Sequence, residues 1–246
     1  MMMSRILAIC VAFLGLAGMF TSAGAAQEQP PVVVELFTSQ GCSACPPADE
    51  LLTRISRDPS IVSISWHVDY WNDLGWKDTL SRPEFTARQK AYQDSLDVRF
   101  VYTPQVVVNG SWEGVGSKEH KVEALIDKGR QSGLPVPIAY EARQGGVEVR
   151  IGQGKTQAPA TLWLVTTRAS EAVKIGGGEN SGRSLTYTNV AKGMRKLGTY
   201  TGEAQTLMIP ASDIQANGAD GCTLLVQEDG TGPIIGALAI DTSKVK

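Results

Sequence analysis

The sequence has little of several residue types on which protein chemistry commonly depends. It contains only two histidines and four cysteines among 246 residues, and no excess of basic over acidic side chains. Because 23 Lys and Arg face 25 Asp and Glu, no basic surface is available to release counterions from DNA or RNA, and we expect no nucleic-acid partner. The 42% of apolar residues and the ordinary Gly and Pro contents exclude a disordered or collagen-like chain.

Long hydrophobic runs are also scarce, and the stretch Ile6–Phe20 is the clear exception. Arg5 precedes this run and the small residues Ala23-Gly24-Ala25 follow it, which predicts a secretory signal peptide over residues 1–26. The run is shorter than the roughly 20 residues that span a bilayer, so we expect no stable membrane insertion after signal cleavage. The expected location is periplasmic or secreted, where disulfides persist.

Two regions of different character follow the signal peptide. Over residues 27–134 the apolar spacing predicts the order β-α-β-α-β-β-α, which gives an α/β domain with a mixed central sheet. The predicted elements are strand Val32–Phe37, helix Cys45–Arg57, strand Ile61–Tyr70, helix Glu84–Leu96, strands Gln105–Val108 and Trp112–Val115, and helix Ser117–Gln131.

Residues 135–246 begin with a Pro-rich linker and continue as short alternating runs separated by Gly, Asn and Asp. This pattern predicts an all-β, sandwich-like domain. The predicted strands are Ile138–Ala142, Val147–Ile151, Thr161–Val165, Thr206–Ile209, Thr223–Val226 and Ile234–Ile240.

The strongest chemical signal is the pair Cys42 and Cys45, which lies between a buried strand and a helix. The two-residue gap places both sulfurs at the first turn of the helix, where the positive helix end favours a thiolate. We expect Cys42 to be the exposed nucleophile and Cys45 the buried resolving thiol. A purely structural disulfide is the alternative, but so small a ring stabilises a fold little. Cys222 is expected to be a buried, unreactive thiol.

Two further features are predicted to lie near this pair. Pro104 begins a strand, so its bond to Thr103 is a candidate for the cis form, and the turn would present a backbone edge to a peptide. His67 belongs to an alternating polar stripe on the second strand, formed by Ser63, Ser65, His67 and Asp69. His67 is interpreted either as a proton shuttle or metal ligand, or as a histidine that is hydrogen-bonded to Asp69 or to backbone.

The loop after the second strand contains two tryptophans, Trp71 and Trp76, that are candidates for substrate contact. Aromatic packing beneath the loop is the alternative for the aromatic residues of this region.

These motifs resemble the thioredoxin superfamily. The segments VVVELFTSQGCSACPPADELL, WHVDYWNDLGWKD, VYTPQVVVNG and GGGENSGRSLTYTNV are more specifically similar to the exported domain-of-unknown-function family 1223. The resemblance implies a thioredoxin-like domain followed by a β-rich domain. By this resemblance Cys42 corresponds to the nucleophile, Cys45 to the resolving cysteine and Pro104 to the cis-proline. Glu35 stands near the buried acid, seven residues before Cys42.

The leading prediction is an exported thiol–disulfide oxidoreductase that acts on protein or small-thiol disulfides, needs a redox partner and requires no cofactor beyond its own disulfide. One alternative is copper binding or delivery through Cys42, Cys45 and His67, because thiolates and imidazole suit Cu(I). Another is a non-catalytic interaction module that keeps the fold without turnover.

Overall fold

An eight-stranded mixed sheet passes through both halves of the sequence. The computed structural model describes residues 30–242, so the predicted signal peptide lies outside the described residues. The strands are β1 Val32–Thr38, β2 Ile61–His67, β3 Gln105–Val108, β4 Trp112–Val115, β5 Ile138–Arg143, β6 Gly146–Ile151, β7 Ala160–Lys174, β8 Ser184–Tyr200, β9 Gln205–Pro210, β10 Gly221–Glu228 and β11 Ile234–Ile240. The helices are α1 Pro46–Ile55, α2 Pro83–Ser95, α3 Glu119–Ser132 and α4 Ala211–Ile214.

The large sheet has the strand order β11-β10-β7-β8-β2-β1-β3-β4. Strands β1 and β2 are parallel, as the crossover through α1 requires, and β1 pairs with β3 in the antiparallel sense. The predicted order β-α-β-α-β-β-α is found over residues 32–132. None of the helices within residues 30–242 is long and apolar enough to cross a lipid bilayer.

Strand β1 is buried along its whole length, which explains its nearly continuous apolar sequence. Its alternate residues serve two different cores. Val34 and Leu36 pack with the apolar side chains of α1 and α3, whereas Val33 and Phe37 pack on the opposite face with residues of α2. The two faces of β1 therefore lie in different chemical surroundings.

The second half of the chain differs from the expected self-contained sandwich. All six predicted strands are present, but β7, β8, β10 and β11 join the sheet of the first half. The junction is the parallel contact of β8 with β2 at Ser65 and Val190. The large sheet contains strands from both sides of residue 134. The domain boundary expected near that residue stays a prediction.

The remaining strands, β5, β6 and β9, form a separate antiparallel sheet. Its inner face shares one apolar cluster with the β7-β10-β11 part of the large sheet, so two layers pack as in a sandwich. One of the two layers is therefore part of the large sheet.

Strand β8, of 17 residues, is the element that the sequence pattern missed. Its sequence SLTYTNVAKGMRKLGTY contains few alternating apolar residues, and most of its side chains are partly or fully exposed. It is held mainly by its long antiparallel pairing with β7, which extends from Ala160 to Lys174. The two strands form a hairpin whose tip reaches the start of α1.

Candidate active site

Cys42 and Cys45 form a disulfide immediately before α1, with their Cα atoms 5.4 Å apart. Strand β1 ends at Thr38 and a turn follows, in which the Cys42 N–H donates to the Ser39 carbonyl oxygen. Cys45 is the N-cap residue, and prolines occupy the first two helical positions. This placement is favourable because proline lacks the N–H that a first helical turn leaves without a partner.

The structure corrects one expectation about this pair, because Cys42 is not exposed. Its exposed fraction is 1%, and that of Cys45 is 0%. The tip of the β7–β8 hairpin, residues 176–183, lies over the motif, and we call it the cover segment. Asn180 Nδ2 donates to the carbonyl oxygens of Gln40 and Cys42, at 3.0 and 2.9 Å. The cover segment is thus bonded directly to the backbone on both sides of Gly41, at Gln40 and Cys42.

An acidic side chain of the cover segment also contacts the motif. The Ser43 N–H donates to Glu179 Oε2 at 3.1 Å, and hydrogen bonds from Ser43 lower the pKa of this carboxyl. The segment packs closely on the loop before α2, since a Cβ atom on Gly177 would lie 2.5 Å from the Gly75 carbonyl oxygen. Gly178 has a φ of +68°, which favours glycine as well.

Substitution Asn180→Ala is expected to expose the disulfide. It removes two buried hydrogen bonds that hold the cover segment, each worth about 1 kcal/mol. Local opening becomes easier, so we expect dithiothreitol to reduce the native disulfide about tenfold faster. Alkylation of the freed thiols at timed intervals measures this rate. Ser181→Ala, at an exposed neighbouring position, is the matched control and leaves the rate unchanged. Equal rates for both variants would show that Asn180 does not hold the segment.

The Thr103–Pro104 peptide bond is cis and directly precedes β3. The register of β1 with β3 pairs Phe37 with Gln105, which places Pro104 level with the end of β1. Cys42, the first residue of the disulfide, lies four residues after the end of β1 at Thr38. The chain thus brings the cis-proline turn and the disulfide to the same edge of the sheet.

The two predicted substrate-contacting tryptophans form intramolecular hydrogen bonds around the disulfide. Trp71 Nε1 donates to Thr103 Oγ1 at 2.9 Å, and Trp76 Nε1 donates to Gln40 Oε1 at 2.8 Å. Both indoles are half-buried. They link the loop after β2 to the cis-proline turn and to the turn before Cys42. Their contact with substrate stays a prediction.

Glu35 is held in a different environment from the one its resemblance to the buried acid implies. It lies on the α2 face of β1, whereas α1 covers the opposite face. Arg88 Nε and Trp66 Nε1 donate to Glu35 Oε1 at 2.7 and 2.9 Å, and the Tyr92 hydroxyl donates to Oε2 at 2.5 Å. Both carboxyl oxygens of Glu35 are thus engaged, and they lie on the sheet face opposite to the one that α1 covers.

His67 lies on the same sheet face as α1, but its partner is not the expected Asp69. Its Nδ1 is 2.8 Å from Asp78 Oδ2, and both side chains are fully buried. The same carboxyl oxygen accepts the N–H of Gln40 at 2.7 Å. Burial would raise the pKa of Asp78, but the charge and hydrogen bond of His67 outweigh it and lower this pKa overall. Asp69 instead accepts from Thr86.

Asp49 is a buried carboxyl that the sequence analysis missed. It lies one turn after Cys45 in α1, and its N–H donates to the Cys45 carbonyl oxygen at 3.1 Å. Burial raises its pKa to about 7, although the nearby His67 acts in the opposite direction. The only signal available in the sequence was an acidic residue four positions after Cys45, on the inward face of an amphipathic helix.

Cys222 in β10 is buried and unpaired, as expected, and burial raises its pKa to about 12. Within residues 30–242 no group of three or more His, Cys, Asp or Glu side chains is gathered as a metal site. The copper set Cys42, Cys45 and His67 is therefore not assembled in this structure, in which both motif cysteines are oxidised.

Residues 33–227 match the family model described as protein of unknown function, DUF1223. The chain belongs to this family. The DUF1223 chain is similar to a crystal structure of a protein from Agrobacterium tumefaciens, with 32% identity, a TM-score of 0.79, and coverage of 90% of this chain and 98% of that one.

A more distant likeness concerns the fold alone. HBP35 of Porphyromonas gingivalis has 14% identity and a TM-score of 0.61, over 89% of this chain and 77% of that one. Among curated proteins, none matches this chain.

Proposed function

We propose that this DUF1223 protein is an exported thiol–disulfide oxidoreductase with a thioredoxin-like arrangement of its first half. Its substrates are disulfides of proteins or small thiols, and its redox partner is a second thiol–disulfide couple. The proposed location is periplasmic or secreted, and the proposed mature protein neither inserts stably in a membrane nor binds nucleic acid.

The observation that carries this proposal is the disulfide at the start of α1 beside a cis-proline turn. The Cys42–Cys45 ring follows a buried parallel strand, and Pro104 lies at the same sheet edge. A ring this small contributes little to stability, so its position before a helix favours reactivity over a structural role.

In the reductive direction, the Cys42 thiolate attacks a substrate disulfide. A bond forms between Cys42 Sγ and one substrate sulfur, and the substrate S–S bond breaks to release the first thiolate. Cys45 then loses its proton and attacks Cys42 Sγ. The bond between Cys42 and the substrate breaks, the second thiolate leaves, and two electrons have passed to the substrate. The oxidative direction is the reverse of these steps and needs no additional cofactor.

Burial of Cys42 adds a requirement to this reaction. In the proposed reaction the cover segment moves away before a substrate sulfur reaches Cys42, since Asn180 and Glu179 are bonded to backbone groups of the motif. The backbone edge at Thr103 and Pro104 would then bind the polypeptide on either side of the substrate cysteine. Trp71 contacts Thr103 and is the aromatic residue best placed to line that edge.

Equilibration across glutathione redox buffers tests the proposal. In the mature protein, free thiols at Cys42 and Cys45 are alkylated and counted by mass, with Cys222→Ala present to remove the third thiol. We expect a reversible two-electron titration. A midpoint of about −120 mV would identify an oxidant, and one of about −270 mV a reductant. A pair that stays in one state over the whole range would overturn the proposal and favour a non-catalytic interaction module.

Copper binding is tested on the same reduced protein by anaerobic loading with Cu(I) and metal analysis. The proposed oxidoreductase needs no metal, and no group of ligands is gathered within the described residues to favour this alternative. Stoichiometric copper binding that is lost in His67→Ala would favour the copper function over the oxidoreductase function.

A further inference from the structure

Unpartnered polar atoms are concentrated in one place beneath the disulfide. Within residues 30–242, seven buried side-chain oxygen or nitrogen atoms have no hydrogen-bond partner, and six of them belong to five neighbouring residues. Together with Asp78 we call these residues the buried polar cluster: Thr38, Asp49, Ser65, His67, Asp78 and Tyr187. Native proteins leave few such atoms unsatisfied, so a concentration of them indicates a functional requirement or internal water.

The contacts around His67 bring this cluster together. The β1–β2 register pairs Thr38 with His67, so both side chains lie on the sheet face that α1 covers. The Tyr187 ring, from β8, meets the His67 ring edge-on with centroids 4.6 Å apart. Asp78 bonds Nδ1 of His67, which leaves Nε2 buried and without a partner.

Asp49 connects the cluster to the resolving cysteine. Residues four apart on a helix share a face, with their Cβ atoms about 5–6 Å apart. Cys45 is the N-cap of α1 and Asp49 lies in its first turn, and both are buried. Neither carboxyl oxygen of Asp49 has a partner within hydrogen-bond geometry, although the nearby Thr38 hydroxyl acts to lower its pKa. A proton leaving Cys45 thus has an unoccupied acceptor within reach directly or through one water molecule.

We propose that Asp49 accepts the proton of Cys45 during disulfide exchange, and that the His67–Asp78 pair positions and tunes this carboxyl. This inference rests on the oxidoreductase function proposed above. It replaces Glu35 as the proton acceptor, because Glu35 is ion-paired to Arg88 on the other face of the sheet. His67 and Asp78 act through Asp49 and are positioning residues.

The proton balance of the second exchange step follows. The Cys45 S–H bond breaks, its proton passes to the ionised Asp49 carboxyl, and its electron pair forms the new bond to Cys42 Sγ. The bond between Cys42 and the substrate sulfur breaks at the same time, and that sulfur leaves as a thiolate. Asp49 then returns its proton to the leaving thiolate or to solvent. In the opposite direction Asp49 is the acid that protonates Cys45.

A route to solvent exists at the rim of this cluster. A cleft of about 450 Å³ between α1 and β8 is lined by Asp49, by Glu50 and Arg54 of the same helix, and by Arg57 just after it. The other charged or titratable groups that act on Asp49 are His67 and Asp78, and Tyr187 lies beside them. Burial dominates this balance and raises the pKa of Asp49 to about 7.

The test is a single-turnover reaction of the reduced protein with oxidised glutathione between pH 5 and 9. Samples are quenched in acid and weighed, which separates the mixed disulfide on Cys42 from the final Cys42–Cys45 disulfide. In Asp49→Asn we expect the second step to slow about a hundredfold at pH 7, so the mixed disulfide accumulates. The difference in second-step rate between Asp49→Asn and the wild type narrows above about pH 8.5, where a cysteine ionises without a proton acceptor.

Two further variants make the test specific. Glu123→Gln, at an exposed position of α3 whose charge does not act on Asp49, is the matched control and keeps the wild-type pH profile. His67→Gln is expected to move the inflection of the second-step rate against pH to higher pH, because the charge of His67 lowers the pKa of Asp49. Asn is nearly isosteric with Asp, and it removes a buried charge, so we expect Asp49→Asn to fold with an unchanged or raised Tm at pH 7.

The outcomes separate this inference from the proposed function. A wild-type pair that exchanges normally, combined with an unchanged pH profile and no mixed disulfide in Asp49→Asn, would overturn the role of Asp49 and leave the oxidoreductase function standing. A wild-type protein that exchanges with no thiol at any pH would overturn both.

Discussion

Cys42→Ser is expected to reduce disulfide exchange to the background rate of the small thiols in the assay. Serine cannot form the mixed disulfide through which both exchange steps pass, and Cys45 lies buried one turn away. The measurement is the rate of glutathione-dependent reduction of a cysteine-containing peptide disulfide. Because the substituted side chain is the same size and lies outside the main apolar clusters, the variant is expected to retain the wild-type fold by circular dichroism.

The companion variant Cys45→Ser separates the two steps of the reaction. It keeps the nucleophile but removes the resolving thiol, so we expect a stable mixed disulfide on Cys42 that is visible by mass. Cys222→Ala is the matched control, since that thiol is buried, unpaired and held protonated by its raised pKa. Exchange that survives in Cys42→Ser but is lost in Cys222→Ala would refute the assignment of the motif as the reactive pair.

Glu35→Gln is expected to cost about 3–5 kcal/mol of unfolding free energy. It leaves the guanidinium of Arg88 buried without a counter-charge, although Gln227 and Tyr92 still accept hydrogen bonds from it. Gln has nearly the same volume as Glu, so a cavity does not account for the loss. Urea unfolding at pH 7 measures it, as a lower midpoint with an unchanged slope.

Glu119→Gln is the control for this loss of stability. It breaks the ion pair between Arg54 and Glu119, whose charged atoms are 2.6 Å apart but whose side chains are 49% and 55% exposed. An exposed pair of this kind contributes about 0–1 kcal/mol. A cost for Glu35→Gln no greater than that for Glu119→Gln would show that the buried pair does not need the charge of the carboxylate.

The pattern of the first half could be read from the sequence because its signals are local. A continuous apolar run predicts a strand buried on both faces, and β1 is such a strand. Paired prolines predict a helix start, and α1 begins at Pro46. The cysteine spacing identified the pair that forms the disulfide, and the position of Pro104 identified the cis bond.

The roles of the acidic residues could not be predicted in this way. Glu35 and Asp49 are both buried carboxyls close in sequence to the cysteines, and only Glu35 was singled out, by its resemblance to the buried acid of the thioredoxin superfamily. The tertiary structure places them in different surroundings, because alternate residues of β1 face opposite sides of the sheet and α1 covers only one side. Sequence distance to Cys42 carries no information about which face a side chain occupies.

The sequence by itself determined the order of elements over residues 32–132, the cysteine pair that forms the disulfide and the positions of six later strands. Only the tertiary structure decided that β8 joins β2, that Asn180 of the cover segment bonds the Cys42 carbonyl oxygen, and that Asp78 rather than Asp69 bonds His67. The reason is physical. Helix starts and buried strands depend on neighbouring residues, whereas these three features depend on contacts between segments from about 10 to 140 residues apart, which no local pattern encodes.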